Sequence, residues 1–322
     1  MGVFERSAAY FGEMGSAAVK RRSTRRAHPV VLLLLACGLV GCVAHGAATG
    51  EPTIVETGAV PAPSPTPSEA KVRSGLAWAD EFARPLGDDR WRFAQGAHGW
   101  GNNELQAYTD RPENAMIANG ILTITARREP AEDSQGNRAE YTSARLYSND
   151  AFRYGRFEAR IKAPIGNGFW SAFWLYGVES PTQSWPDVGE IDIMELLDKT
   201  LDLNSAVWGA RTDGEPWSRS IGASTTGEPW GGDWHVYGVE WRPDAVVFLL
   251  DGEERGRIER SELAEDEVWS LDHPANIVIN LAIGGDWGSA VDETTPFPAH
   301  LQVDWVRVHD AEVYPGLNDS GW

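Results

Sequence analysis

Three carboxylates fall within six residues in the stretch Gly189-Glu190-Ile191-Asp192-Ile193-Met194-Glu195-Leu196-Leu197. Two carboxyls held together can divide nucleophilic and general acid/base work between them. Side chains alternate between the faces of a strand, so Glu190 and Asp192 share one face while Ile191 and Ile193 point into a core. Strict alternation then turns Glu195 inward, where an unpaired carboxylate is costly. A β-bulge at Ile193–Met194 resets the alternation and returns Glu195 to the face of Glu190. An ordinary polar edge strand fits the same acids equally well, so the neighbouring elements must decide.

Those neighbours read as many short strands. Arg156–Lys162 alternates polar and apolar residues, and Ile277, Ile279 and Leu281 alternate with Asn276, Val278 and Asn280. Ala245–Leu250 is a short apolar run between turn signals. No repeat of 20–50 residues and no long amphipathic helix is present; Ser261–Glu267 is at most a short surface helix. This pattern predicts an all-β sandwich or jelly roll. One strand places Trp170, Ala172 and Trp174 on one face and Phe169, Phe173 and Leu175 on the other. A sandwich core needs only one such face, so the tryptophan face is a candidate sugar platform, with plain core packing as the alternative.

The chain has 322 residues and a net charge of −19. Residues 1–41 carry six Lys/Arg and two Asp/Glu, which leaves 22 basic against 45 acidic residues after them. Such a surface repels nucleic acid and anionic membranes and favours a neutral substrate. A basic stretch at 20–26 precedes an apolar run from Val30 to Val40, too short to span comfortably and suited to a signal-peptide core. It ends Leu39-Val40-Gly41-Cys42, resembling a bacterial lipobox with Cys42 as the lipidated residue; a plain secretory signal is the alternative. Arg25-Arg26 is a poor twin-arginine signal, and Met14 is an alternative start. Residues 42–74 form a Pro/Ala/Ser-rich tether without large apolar side chains. All 15 Trp lie at or after Trp78, so the folded domain is placed at 75–313, with a tail at 314–322. Cys37 falls in the signal and Cys42 is the other cysteine, so the domain must stand without disulfides.

Several motifs now fall in order: Trp78-Ala79-Asp80-Glu81-Phe82, Gly99-Trp100-Gly101-Asn102-Asn103-Glu104-Leu105-Gln106, Thr142-Ser143-Ala144-Arg145 and Tyr154–Arg160. Gly168–Trp174, Gly189–Glu195, Asn280–Gly285 and Val303–Val308 follow. Together they resemble glycoside hydrolase family 16, and within it the bacterial endo-β-1,3-glucanases (laminarinases). The resemblance covers Trp78 to Val308. It implies a concanavalin A-like β-jelly-roll sandwich of two curved antiparallel sheets with a substrate cleft on the concave face. The acid motif with the extra Met194 resembles that of laminarinases and agarases, whereas lichenases have a regular strand there.

By this resemblance Glu190 is the nucleophile, Glu195 the general acid/base, and Asp192 their partner in a retaining mechanism. Asn102 and Arg145 are expected to hydrogen-bond sugar hydroxyls, and Trp170, Trp174 and Trp185 to line the cleft. The chemistry requires no cofactor; a structural calcium ion is expected at Glu81, the Gly120 carbonyl and Asp304. Two departures stand out. Ser171 replaces a common Pro, and Trp208 stands where many laminarinases carry His. Trp208 is expected to exchange a hydrogen bond for a stacking surface in the leaving-group subsites. The implied protein is an exported, monomeric lipoprotein at the cell surface or facing the periplasm, or else secreted, that cuts a neutral β-glucan and touches the bilayer through its N-terminal anchor. The alternatives are the same mechanism on mixed-linkage glucan, galactan or agarose, or a non-catalytic carbohydrate-binding lipoprotein.

Overall fold

The computed structural model describes residues 75–87 and 90–317. The signal segment, Cys42 and the tether lie outside the described residues. Two eight-stranded antiparallel sheets pack face to face. One runs β17 (Glu253–Glu259), β16 (Ala245–Leu250), β15 (His235–Trp241), β10 (Gly155–Lys162), β19 (Ala299–His309), β5 (Ile121–Ala126) and β4 (Ala115–Ala118), with β1 (Leu76–Asp80) also on β19. The other runs β14 (Pro216–Ser224), β13 (Asp202–Ala210), β12 (Glu190–Leu197), β11 (Phe169–Gly177), β18 (Ala275–Ile283), β9 (Arg145–Arg153) and β2 (Trp91–Phe93), with β20 (Glu312–Tyr314) on β9. Two small pairs, β3 (Gln106–Tyr108) with β8 (Tyr141–Ser143) and β6 (Ala131–Glu132) with β7 (Arg138–Ala139), lie beside them. Helical structure is confined to the 3-10 turn Arg260–Glu262 among the described residues, which overlaps the start of the Ser261–Glu267 stretch expected to hold at most a short helix.

The core sits between the sheets and follows the alternation of each strand. Phe157, Ala159 and Ile161 of β10 point inward, as do Val306 and Val308 of β19. The second sheet answers with Phe169, Phe173 and Leu175 of β11, Ile191 of β12, and Ile277, Ile279 and Leu281 of β18. Each of the larger side chains stabilises the fold by roughly 1.5–3 kcal/mol, which offsets the absence of any cysteine in the described domain. Strand β18 is buried on both faces, because loops and side chains cover its outer side as well. The fold also runs past residue 313. Tyr314 lies in β20, and the Leu317 carbonyl accepts the buried Asn276 side-chain amide at 3.0 Å, so Tyr314–Leu317 belong to the domain, not to a tail.

The expected bulge is present. Across β11, Phe173 pairs with Met194 and Trp174 with Asp192, so Ile193 has no partner there. Across β13, Asp192 pairs with Ala206 and Glu195 with Asn204, leaving Ile193 and Met194 opposite Ser205. The Ser205 hydroxyl donates to the Ile193 carbonyl at 2.8 Å, satisfying a group that the broken ladder frees. Both Ile193 and Met194 turn into the core, at 2% and 0% exposure, and Glu195 is returned to the outer face.

Candidate active site

Glu190, Asp192 and Glu195 line the outer face of β12, between Trp170 and Trp174 of β11 and Trp208 of β13. Register fixes this arrangement: Asp192 faces Trp174 on one side and Ala206 on the other, and Glu190 faces Trp208. The Trp208 indole N–H donates to Asp192 Oδ2 at 2.9 Å, and the Trp170 indole N–H donates to Glu195 Oε1 at 2.9 Å. Asp192 and Glu195 are nearly sealed from solvent. Burial pushes the Glu190 carboxyl well above the usual range, and the neighbouring Asp192 and Glu195 carboxylates push it further. Trp185 stands beside Glu190 and offsets part of that rise. Burial raises Glu195 in the same way, with the Asp192 charge adding to it and the Trp170 donor opposing. Asp192 is raised by burial to about 7, against the opposing hydrogen bonds of Glu190 and Trp208. The three acids therefore share protons and titrate as one cluster. Such a cluster can hold an ionised nucleophile and a protonated general acid at the same pH.

The tryptophans divide by role. Trp170 is 6% exposed, so it is less an open floor than the clamp that orients Glu195. Trp174 is half-buried and faces outward, its indole N–H donating to Asn280 Oδ1 at 2.8 Å. Trp185 is half-buried, 6.1 Å from Trp208 at an interplanar angle of 49°. Trp208 departs from expectation. At 4% exposure it offers little stacking surface, and the hydrogen bond expected to be lost is instead kept and aimed at Asp192. An indole carries one N–H donor and no acceptor, so this contact does not depend on protonation.

Arg145 also departs from expectation. Its guanidinium lies 5.0 Å from the ring centres of Trp100 and Tyr108 and 5.4 Å from that of Trp174. It is 3.4 Å from Glu104, and the residue is only 7% exposed. Buried among aromatic rings beside Trp174, it supports the platform, and its Nε has no hydrogen-bond partner among the described residues. Asn102 stays half-buried at the rim. Its backbone carbonyl accepts Asp286 N at 2.8 Å, and its Oδ1 has no hydrogen-bond partner among the described residues. Three neighbours escaped sequence reasoning. Trp287 packs edge-on against Trp170 at 5.3 Å, Trp100 covers Arg145, and Glu104 anchors the polar network. Trp100 and Glu104 lie within the Gly99–Gln106 motif, but nothing in its spacing separates a buried acid from an exposed one.

The expected calcium ligands are otherwise engaged. The Glu81 carboxylate holds Arg307 through both oxygens, at 2.7 and 3.0 Å, and Asp304 holds Arg160 at 2.7 Å. Gly120 does pack near the Glu81 backbone carbonyl. Among the described residues no group of three or more His, Cys, Asp or Glu side chains is arranged to hold a metal ion. A calcium ion at Asp304 would have to displace Arg160.

A β-sandwich whose outer face carries coupled carboxyls beside indole rings has the equipment of a glycoside hydrolase. The chain belongs to glycosyl hydrolases family 16, whose family model matches residues 102–307. It is 38% identical over 247 residues to a beta-glucanase of Rhodothermus marinus, covering 73% of this chain and 84% of that protein. It is 35% identical over 224 residues to a glucan endo-1,3-beta-glucosidase of Cryptopygus antarcticus, covering 66% and 81%. Among solved structures, the catalytic domain of an endo-1,3-beta-glucanase (laminarinase) from Thermotoga petrophila superposes with a TM-score of 0.66 at 36% identity, covering 74% of this chain and 97% of that one. The endo-beta-1,3-glucanase of Pyrococcus furiosus gives 0.67 at 36% identity, covering 74% and 94%.

Proposed function

We propose that the protein is an endo-acting β-glucan hydrolase that cuts β-1,3-glucosidic bonds with retention of anomeric configuration. The observation that carries this reading is the coupled triad on the bulged strand β12, in a chain whose relatives are named for beta-glucan cleavage. Glu190, as carboxylate, attacks the anomeric carbon while Glu195, as acid, protonates the departing glycosidic oxygen. A covalent glycosyl-enzyme forms, and Glu195, now a base, takes a proton from the water that hydrolyses it. Asp192 shares a proton with Glu190 and takes it up as Glu190 attacks, so that the nucleophile reacts as the carboxylate and Asp192 is left as the neutral acid. Trp174 and Trp185 supply apolar ring faces for the pyranoses, which position the scissile bond.

Proton NMR of digests of laminarin, lichenan, agarose and galactan tests the reading. Laminarin is expected to yield oligosaccharides, with the β-anomer appearing first. An initial α-anomer overturns the mechanism, a preference for agarose or galactan overturns the substrate, and no product from any of the four overturns the hydrolase. A binding protein on the same fold predicts instead that Glu190→Gln keeps all its measured properties.

We infer separately that the enzyme is exported and held by a lipid anchor at Cys42, with residues 43–74 as its tether. The support is the apolar run ending Leu39-Val40-Gly41-Cys42 and the proline-rich composition after it. Metabolic labelling with radioactive palmitate in a bacterial host is expected to mark the full chain and not its Cys42→Ala variant. Equal labelling of both rejects the anchor.

A further inference from the structure

We propose that Glu104 is a positioning residue that sets the orientation of the Trp174 ring through Tyr108 and Asn280, resting on the reading of Trp174 as a sugar platform. The four groups form one chain of hydrogen bonds. The Tyr108 hydroxyl lies 3.0 Å from Glu104 Oε2, Asn280 Nδ2 lies 3.2 Å from the Tyr108 hydroxyl, and Trp174 Nε1 lies 2.8 Å from Asn280 Oδ1. Glu104, Tyr108 and Asn280 are 6%, 1% and 3% exposed, so water does not compete for any of these bonds.

The chain has a direction, and its two ends impose it. An ionised carboxylate only accepts and an indole N–H only donates. With Glu104 accepting, Tyr108 must spend its proton there, and its oxygen is then free only to accept. Asn280 therefore turns its amide N–H toward Tyr108 and its carbonyl toward Trp174. A neutral or absent group at position 104 would let the tyrosine donate to Asn280, flip the amide and set two donors face to face at the indole. The cost of leaving a buried donor unmatched is what fixes the ring.

Glu104 is itself held in place. Gln106 Nε2 donates to it at 2.6 Å, and Arg145 pairs with it at 3.4 Å. Gln106 Oε1 in turn accepts the backbone N–H of Ile283 at 2.7 Å, and Leu105 N donates to the Ile283 carbonyl at 2.8 Å. The segment at 104–106 is thus stitched to the end of β18, the strand that carries Asn280. Trp174 sits opposite Asp192 across β11 and β12, so a rotated ring would weaken the grip on the sugar that the platform holds.

The test is a double-mutant cycle on the full chain with laminarin as substrate. Tyr108→Phe removes the hydroxyl without changing the ring and is expected to raise KM about three- to tenfold, the range expected for one hydrogen bond, with kcat within about twofold. Trp174→Phe removes the only group the relay orients. On that background Tyr108→Phe is expected to change KM no further. A KM effect that adds in full, or no effect in the single variant, overturns the proposal, because a general loss of structure would add. Glu104→Gln repeats the cycle from the other end, with the same outcomes expected, and replaces Tyr108→Phe where that variant cannot be purified. A second readout is independent of catalysis. The indole N–H resonance of Trp174, assigned by its loss in Trp174→Phe, is expected to move and to exchange faster with solvent in Tyr108→Phe; an unchanged resonance overturns the relay. Wild-type protein that cleaves no β-glucan would overturn the functional reading alone, since this resonance still reports on the relay.

Discussion

Glu195→Ala is expected to stop hydrolysis of laminarin yet still let the enzyme expel a good leaving group, whereas Glu190→Ala is expected to stop both. The glycosidic oxygen of a polysaccharide leaves poorly without a proton, and Glu195 is the acid whose burial keeps that proton available. General acid/base assistance contributes about 10²–10⁴-fold, so turnover on laminarin should fall by about that factor. A dinitrophenyl β-glucoside of laminaribiose needs no proton on leaving, so its first step survives in Glu195→Ala and the glycosyl-enzyme accumulates. Azide, which needs no general base, should then resolve that intermediate and yield a β-glycosyl azide. Glu190→Ala has no nucleophile on the lower face, and its loss should be on the order of 10⁴- to 10⁶-fold on either substrate. Azide there would enter from the opposite side and give the α-product. The anomeric configuration of the azide, read by NMR, assigns each acid. An α-azide from Glu195→Ala would mean that the two roles are exchanged.

How much of this site the sequence disclosed depends on the kind of interaction. The alternation of Ile191, Ile193 and the acids revealed the bulge because period two is a strong constraint: one buried carboxylate was enough to break the regular strand. The split of β11 into a tryptophan face and a phenylalanine face was legible for the same reason, and register then carried Trp174 to Asp192. The depth of Arg145 and the direction of Trp208 were not legible, because both depend on how other segments fold over them. Arg145 occupies an outward position of β9, but Trp100 and Tyr108 fold over it from the 99–108 segment, which alternation on β9 does not describe. Trp208 was read as a stacking surface because it stands where the resemblance places a hydrogen-bonding His. Its indole N–H reaches across to the neighbouring strand instead. The pairing of Asp304 with Arg160 was hidden for a related reason, since a carboxylate paired with Arg160 and one awaiting a cation read alike in one dimension.

The same burial that equips the triad should make it a weak point of the fold at neutral pH, and Asp192→Asn is expected to reveal this by raising stability while abolishing most activity. The direction follows from proton linkage. Asp192 titrates near 7 in the folded chain against an ordinary 3.8. Between those values the native state holds a proton that the unfolded chain has released, so stability falls as pH rises through this window. Glu190 and Glu195 are shifted the same way and add to the fall. Below about pH 4 both states are protonated and the penalty is absent. Asn mimics the protonated acid, with its carbonyl accepting from Trp208 and its amide donating to Glu190. The gain is on the order of a few kcal/mol at and above pH 7, because each tenfold difference in proton affinity between the folded and unfolded chain is worth about 1.4 kcal/mol. For a domain of this size that corresponds to a rise in Tm of about 8 °C or more at pH 8, shrinking to nothing near pH 4. Other carboxylates, such as Asp133 and Asp292, both lowered to about 2, respond in the opposite sense, but they are shared by both proteins and cancel in the difference. Thermal melts of the two proteins across pH 4–8 measure that difference directly. A gap that is constant with pH, or that widens toward acid, would show that Asp192 is charged in the folded enzyme throughout. The stored proton would then lie on Glu190 and Glu195, whose carboxyls burial and the Asp192 charge both raise.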